Sequence, residues 1–554
     1  MRPFAFAAFA LLGACSSALD GTPAAVPTSI PPVPTSAVLA TPPAGEVRLV
    51  VAVVIDQLPS WALERYLPLL DADGALRHAV ATGAYYERAR YDYAGTYTAP
   101  GHATLFTGVL PREHGVVANE VWDPRRSKVI SVVDDAEHGV LGSDEQFASP
   151  HVLRAPTVAD ELERETNGRA LTLSISLKDR AAVLPAGQHP DLALFYDAKR
   201  GVYTTSVWYA GVVPNWLASF QSQHPILTSL GVWEPNDRAA LARLLGPDAA
   251  TGESDWQGLG NAFPHDPRRS PEPLTALRAT PFATEYLFEV ARAGVRALGL
   301  GNDEVPDLLM LSLSSVDYAG HLFGPESWEY ADSLVRADRA LGRFLAELPS
   351  GTRVLLTSDH GVAPLPERSL ERSRLALRLP TKKVAAAVNQ VLVTKLGLTA
   401  PPVASYTEPF VYLSAEAKGS PAYPTILAAV QREFEKVSGV AAVYAVRELV
   451  LREPRSELEA LARASITDDA AGELFVVPSE LSIVDPSNPG GSGTSHGSPW
   501  GYDRFVPVLF WGHGISPRRE TAEVPVLGVA PTLSALLGIT APAGARSAPL
   551  SGAP

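Results

Sequence analysis

Cysteine is almost absent from this sequence: among 554 residues there is one, Cys15. No intramolecular disulfide can form, so none can staple the fold. Basic charge is also in short supply. Lys and Arg number 46 against 60 Asp and Glu, a formal net charge of −14. A nucleic-acid partner would need a basic surface, so none is expected. An anionic small substrate is not excluded, because a site can be locally positive inside an acidic protein. Beyond the N-terminus no run has the length and apolarity of a membrane-crossing helix. The rest is ordinary for a globular protein, with 46% hydrophobic and 19% charged residues. A chain of this length exceeds one small core and implies a large domain with insertions, or two to three units.

The N-terminus, MRPFAFAAFALLGAC, places Arg2 before an apolar, uncharged run from Pro3 to Gly13. This run is too short to span a bilayer and reads as a secretory signal over residues 1–14. Its end, Leu12-Gly13-Ala14-Cys15, resembles the lipobox of bacterial lipoproteins. That resemblance implies cleavage before Cys15 and acylation of its thiol. With no Asp after the cysteine, it also implies outer-membrane sorting in the periplasm. Residues 15–46 are rich in Pro, Ala, Thr and Ser and read as an extended tether.

From Val47 to Ile55 the chain becomes a continuous apolar, β-branched run that ends at Asp56, as expected of a strand buried on both faces. Similar runs are Leu171–Leu177 before Lys178, Leu308–Leu313 before Asp317, and Arg353–Thr357 before Asp359 and His360. A helical stretch from Ser327 to Leu348 lies between the last two. This alternation predicts an α/β fold with a mostly parallel central sheet flanked by helices, its site beyond the carboxyl ends of the strands. The core is expected in three parts, residues 47–189, 286–370 and 471–545, with Glu473–Val477 returning to it. An insertion or cap over 190–285, rich in Trp, Tyr, Pro and Gly, and a small α+β subdomain over 371–470 interrupt it.

The chemistry-bearing residues cluster at these strand ends. Asp317 and His321 fall on one face if their segment is helical. Asp359 and His360 adjoin after a strand, Asp56 follows another, and His496 lies in the Gly-Ser-rich loop GGSGTSHGSPWGYD. Three carboxylates and three imidazoles suit a pair of zinc ions better than magnesium or calcium, which prefer oxygen shells. In Thr96-Tyr-Thr98-Ala-Pro-Gly-His102, Pro100 can begin a helix, which sets Thr98 at or near its N-cap. A threonine hydroxyl is a poor nucleophile until a metal lowers its pKa. Lys178-Asp-Arg180, read as a strand or extended turn, points two cations the same way to hold phosphate oxygens. Asn119 offers a neutral amide to a further oxygen.

The motifs VVIDQ, TYTAPGHATLFTG, HGVVANEVWD, SLKDRAAVLPAG, SVDYAGH, LLTSDHG and SHGSPWGYDRFVPVLFWG, spread over about residues 47–515, resemble those of the alkaline phosphatase superfamily. They are similar in particular to the phosphate-irrepressible alkaline phosphatases, relatives of the nucleotide pyrophosphatase/phosphodiesterase branch. The resemblance implies an alkaline phosphatase-like fold and two Zn²⁺ per chain. One would be held by Asp317, His321 and His496. The other would be held by Asp56, Asp359, His360 and the oxygen of Thr98. It also implies that Asn119, Lys178 and Arg180 contact phosphate. With both zincs and the alkoxide counted, the site carries about two surplus positive charges, which match a phosphate monoester dianion. In the family the diesterase branch lacks the Lys-x-Arg pair, and sulfatases use a modified Cys or Ser. The expectation is a monomeric phosphate monoesterase working through a phosphothreonine. A phosphodiesterase or nucleotide pyrophosphatase is the alternative, and a non-catalytic ligand-binding lipoprotein a more distant one.

Overall fold

The computed structural model describes residues 47–485 and 492–553. The expected signal, Cys15 and the tether lie outside the described residues. Among the described residues, no helix is long and apolar enough to cross a membrane.

Among them the central element is a ten-stranded sheet. Its middle is parallel and runs in the order Arg353–Thr357, Leu49–Val54, Asp307–Ser312, Thr172–Ser176 and Leu192–Asp197. Phe505–Gly512 joins antiparallel beside Arg353–Thr357, and Ala84–Arg90 pairs antiparallel with it in turn. The sheet is therefore mixed at its margins and parallel where the apolar runs fall. Every residue of Leu49–Val54 is buried, which explains why this strand shows no polar alternation.

Alternate residues of each strand feed two separate cores. Leu49, Val51 and Val53, with Leu309 and Leu311, pack against helices Pro281–Leu298 and Trp328–Leu345. Val50, Ala52 and Val54, with Leu308 and Met310, face Leu105 and Phe106 of helix Thr98–Thr107 and Leu533 of helix Val529–Leu537. Each fully buried Val or Leu contributes about 1.5–3 kcal/mol. The two layers thus fix the sheet, and with it the level at which the strands end.

A second, four-stranded antiparallel sheet runs Val403–Thr407, Phe410–Leu413, Leu474–Pro478, Val440–Ala445. Leu474–Pro478 was expected to return to the central sheet. It instead pairs with both Phe410–Leu413 and Val440–Ala445. A short apolar run of this kind fits a buried strand of either sheet, and only pairing decides. One face of the small sheet (Val411, Leu413, Val476) packs on helices Thr381–Leu396 and Tyr423–Glu435. The other face (Phe410, Tyr412, Phe475, Val477) packs on Ala94, Val117 and Ala118. The small sheet is thereby set directly beside the segments that carry Thr98 and Asn119.

Candidate active site

Register brings the site together. Val54 stands opposite both Ser312 and Thr357, and Ser312 stands opposite Ser176. Four adjacent parallel strands therefore end on one row. Just past that row come Asp56, Asp317, Asp359 and Lys178. Neighbouring strands lie about 4.8 Å apart, so side chains leaving one row are in mutual reach.

Asp317 and His321 lie on helix Ser315–Phe323, with His321 Nε2 3.3 Å from Asp317 Oδ1. His496 Nε2 is 3.8 Å from the same oxygen. His360 Nε2 stands 3.2 Å from Asp359 Oδ2 and 3.3 Å from Thr98 Oγ1. Thr98 is buried and is the first residue of its helix, one position inside the N-cap, Tyr97. The structure thus brings Asp317, His321 and His496 into one group. Asp359, His360 and Thr98 lie alongside, and Asp56 is linked to them through Lys178.

One imidazole was not singled out from the sequence. His102, fully buried, has Nε2 3.8 Å from Asp56 Oδ1 and Nδ1 3.5 Å from Asp359 Oδ2. It follows Thr98 by one helical turn, and its Nδ1 donates to the Thr98 carbonyl at 2.9 Å. Gln57 was also missed. Its backbone N–H donates to Asp359 Oδ1 at 3.1 Å and its side-chain amide to Asp317 Oδ1 at 3.0 Å, so it ties the two groups together. It holds a left-handed backbone, φ 66°, a conformation that costs about 1–3 kcal/mol and persists where surroundings enforce it. A Cβ on Gly320 would run into Gln57 Oε1, so a side chain there would displace the Gln57 amide.

The tautomers decide what the site can bind. His102, His321, His360 and His496 each place Nδ1 2.8–2.9 Å from a backbone carbonyl: those of Thr98, Thr494, Gly361 and Thr96. A carbonyl only accepts, so each Nδ1 carries a proton, and in the neutral imidazole each Nε2 presents a bare lone pair. All four lone pairs face a carboxylate oxygen. Acceptor facing acceptor at 3.2–3.8 Å is repulsive unless a cation lies between. His102 Nε2 and Asp359 Oδ2 are buried without a hydrogen-bond partner among the described residues. Ligands in a tetrahedral zinc shell stand about 3.3 Å apart, close to the observed separations. Two groups here, Asp317–His321–His496 and Asp56–His102–Asp359, have the spacing to hold a metal ion.

With no cation between His360 and Asp359, burial acts to lower the His360 pKa but Asp359 outweighs it and raises it. Burial opposes ionisation of Asp317, but Lys178 and His321 outweigh it and hold the carboxyl well below its usual range. Burial, reinforced by His360 and His321, pushes His496 well down, so its imidazole stays neutral as a ligand must.

The phosphate-side residues are placed as follows. Lys178 Nζ reaches Asp317 Oδ2 at 2.7 Å, Asp56 Oδ2 at 3.2 Å and Thr98 Oγ1 at 3.3 Å. The strand reading of Lys178-x-Arg180 is corrected: Lys178 is the extended N-cap of helix Asp179–Ala186, and Arg180 lies in its first turn. Arg180 lines the cleft above the site, as does Asn119. Asn119 Oδ1 accepts from Ala99 N–H at 2.8 Å, which leaves its amide nitrogen as the free donor.

The fold and this site define the class: an α/β protein of alkaline phosphatase-like fold, with two candidate metal groups around one threonine. The profile of the family described as type I phosphodiesterase / nucleotide pyrophosphatase matches residues 50–394, and the chain belongs to that family. It is 28% identical over 523 residues to alkaline phosphatase PafA of Elizabethkingia meningoseptica, covering 91% of this chain and 94% of that one. It is 29% identical over 539 residues to a Myroides odoratus protein named calcium-transporting ATPase, covering 93% of this chain and 96% of that one. The crystal structure of wild-type PafA superposes with a TM-score of 0.84 at 26% identity, covering 92% of this chain and 100% of that one. The protein is a phosphatase.

His114 ties helix Thr98–Thr107 to the segment leading to Asn119. Its Nδ1 accepts from Val116 N–H and its Nε2 meets Thr104 Oγ1 at 3.0 Å. Burial pushes its pKa down to about 3. The folded protein therefore needs neutral His114, while the unfolded chain protonates it below about pH 6.5. Its contribution to stability is fully present above that pH. It is lost at about 1.4 kcal/mol per unit as pH falls from there toward the folded value. Urea unfolding at pH 6.5 and 5 should show a steeper loss for the wild type than for His114→Asn. Equal losses would contradict this.

Proposed function

We propose that the protein hydrolyses phosphate monoesters through a phosphothreonine on Thr98. Two divalent cations would be held by Asp317, His321 and His496 on one side and by Asp56, Asp359, His360 and Thr98 on the other, with His102 adjoining the second set. The observation that carries this reading is the set of bare imidazole lone pairs facing carboxylates around one hydroxyl. Nitrogen-rich shells of this kind favour zinc. When bound, such ions supply Lewis-acid stabilisation of the entering and leaving oxygens.

The chain's own groups do the rest. Thr98 Oγ1, its proton lost to solvent, forms the bond to phosphorus in line as the bond to the alcohol oxygen breaks, and the departing alkoxide takes up a proton from water. The Lys178 ammonium beside Oγ1 and the start of the helix stabilise negative charge on that oxygen. Arg180 and the Asn119 amide receive non-bridging oxygens and orient the phosphoryl group. Water then attacks phosphorus, which releases inorganic phosphate and regenerates Thr98. A loose transition state needs this positioning and charge more than proton transfer. The apolar N-terminal run that ends at Cys15 supports placing the reaction outside the cytoplasm.

A diesterase reading is favoured by the description of the matching family. The paired cations Lys178 and Arg180 favour the dianionic monoester instead. The name of the Myroides protein suggests transport, but no described helix here is built to cross a membrane.

Steady-state rates on p-nitrophenyl phosphate and its bis-ester, with zinc supplied, test the proposal. The wild type should favour the monoester. Thr98→Ala should lower monoester kcat/KM by about a thousandfold or more, and full activity in that variant would refute the nucleophile. Lys178→Ala with Arg180→Ala should weaken monoester hydrolysis about a hundredfold more than diester hydrolysis. Equal losses would refute the clamp.

A further inference from the structure

The cleft above Thr98 has a volume of about 1140 Å³, far more than a phosphate fills. Arg180, Asn119, His321 and His496 line it at the catalytic end. It is also lined by the small antiparallel sheet, including Tyr406 and Glu408, and by Glu120 and Trp122. Glu408 sits in the turn between strands Val403–Thr407 and Phe410–Leu413.

The small-sheet wall carries unmet polar groups. Glu408 Oε2 is buried and has no hydrogen-bond partner among the described residues; the same holds for the Tyr406 hydroxyl. Tyr406 is only 6% exposed. Its ring is held edge-on by Phe434, centroids 5.3 Å apart. The charges acting on Glu408 are those of Glu120, Asp485 and Asp503, all of one sign. With burial, they push its carboxyl well above the usual range. Arg378, the guanidinium on this side of the cleft, is engaged at 2.7 Å by Glu367 and at 3.9 Å by Asp485. Lys382 stands exposed at the rim. Ionising Glu408 there is unfavourable without a counter-charge, and a bound cation offsets that cost. Aromatic faces such as Trp122 and Tyr406 add attraction for an ammonium group.

We propose that the Glu408 end of the cleft is a subsite for an ammonium group carried on the alcohol side of the phosphoester. This proposal rests on the monoesterase reading. The preferred substrate is then zwitterionic, its phosphate at the cation-holding end and its amine at the acidic end.

The test compares ω-aminoalkyl phosphates of increasing chain length with the alkyl phosphates in which a methyl replaces the ammonium. The ratio of kcat/KM within each pair is read at pH 8, where the amine is charged. The wild type should favour the amine by about tenfold at the length that spans the cleft, and Glu408→Gln should bring that ratio to about one. A wild-type ratio near one at every length overturns the subsite. So does a preference that survives Glu408→Gln, or a preference for a neutral polyol ester such as glycerol phosphate. Because each ratio is internal to one protein, loss of active fraction in the variant does not mimic the result. If p-nitrophenyl phosphate is not hydrolysed at all, the monoesterase reading fails by itself. Binding of 3-aminopropanol to the full chain, followed by ligand-detected NMR, then decides the subsite: binding lost in Glu408→Gln supports it, and no wild-type binding overturns it.

Discussion

Three aspartates, Asp56, Asp317 and Asp359, are buried at the ends of adjacent parallel strands, and Lys178 is the ammonium set among them. Like charges at that spacing repel strongly in a medium of low dielectric. Further positive charge among them relieves that repulsion. Four imidazoles, each fixed by a backbone carbonyl, turn Nε2 inward, where a bound cation would find ligands. The rest of the architecture follows from holding this unfavourable cluster in place. A fully apolar sheet core fixes the level of the strand ends. Gln57, in a strained backbone, bridges the two groups, and Gly320 leaves room for it.

Much of this was legible in the sequence. The runs ending in Asp56, Asp317, Lys178 and Asp359-His360 announced buried strands with polar residues at their carboxyl ends, because a strand covered on both faces loses its alternation. The spacing from Asp317 to His321 gave a shared helical face. Other features were not legible. His102 looks like any helical histidine until one sees that, four residues after Thr98, its ring returns to the Thr98 carbonyl; its place in the same motif as the nucleophile was the available signal. The Lys178–Arg180 pair was read with a period of two, but the strand stops at Ser176 and the helix starts at Asp179. The two cations are therefore arranged by a helix start, not by a pleat. Leu474–Pro478 was assigned to the central sheet since apolarity does not say which sheet a strand completes.

The two segments that carried little diagnostic signal, the insertion and the small sheet, contribute walls to one cleft. Ser254, Asp255 and Trp256 come from the insertion, and Tyr406 and Glu408 from the hairpin of the small sheet. Their sequences follow the demands of a surface facing a ligand rather than a period of helix or strand.

The central claim is that two cations bind where the lone pairs converge. Zinc-edge anomalous diffraction from crystals of the zinc-loaded protein tests it most directly. The account expects one peak among Asp317, His321 and His496 and a second beside Asp359, His360 and Thr98. A map with no peak at these positions, or with zinc bound only elsewhere, would contradict it.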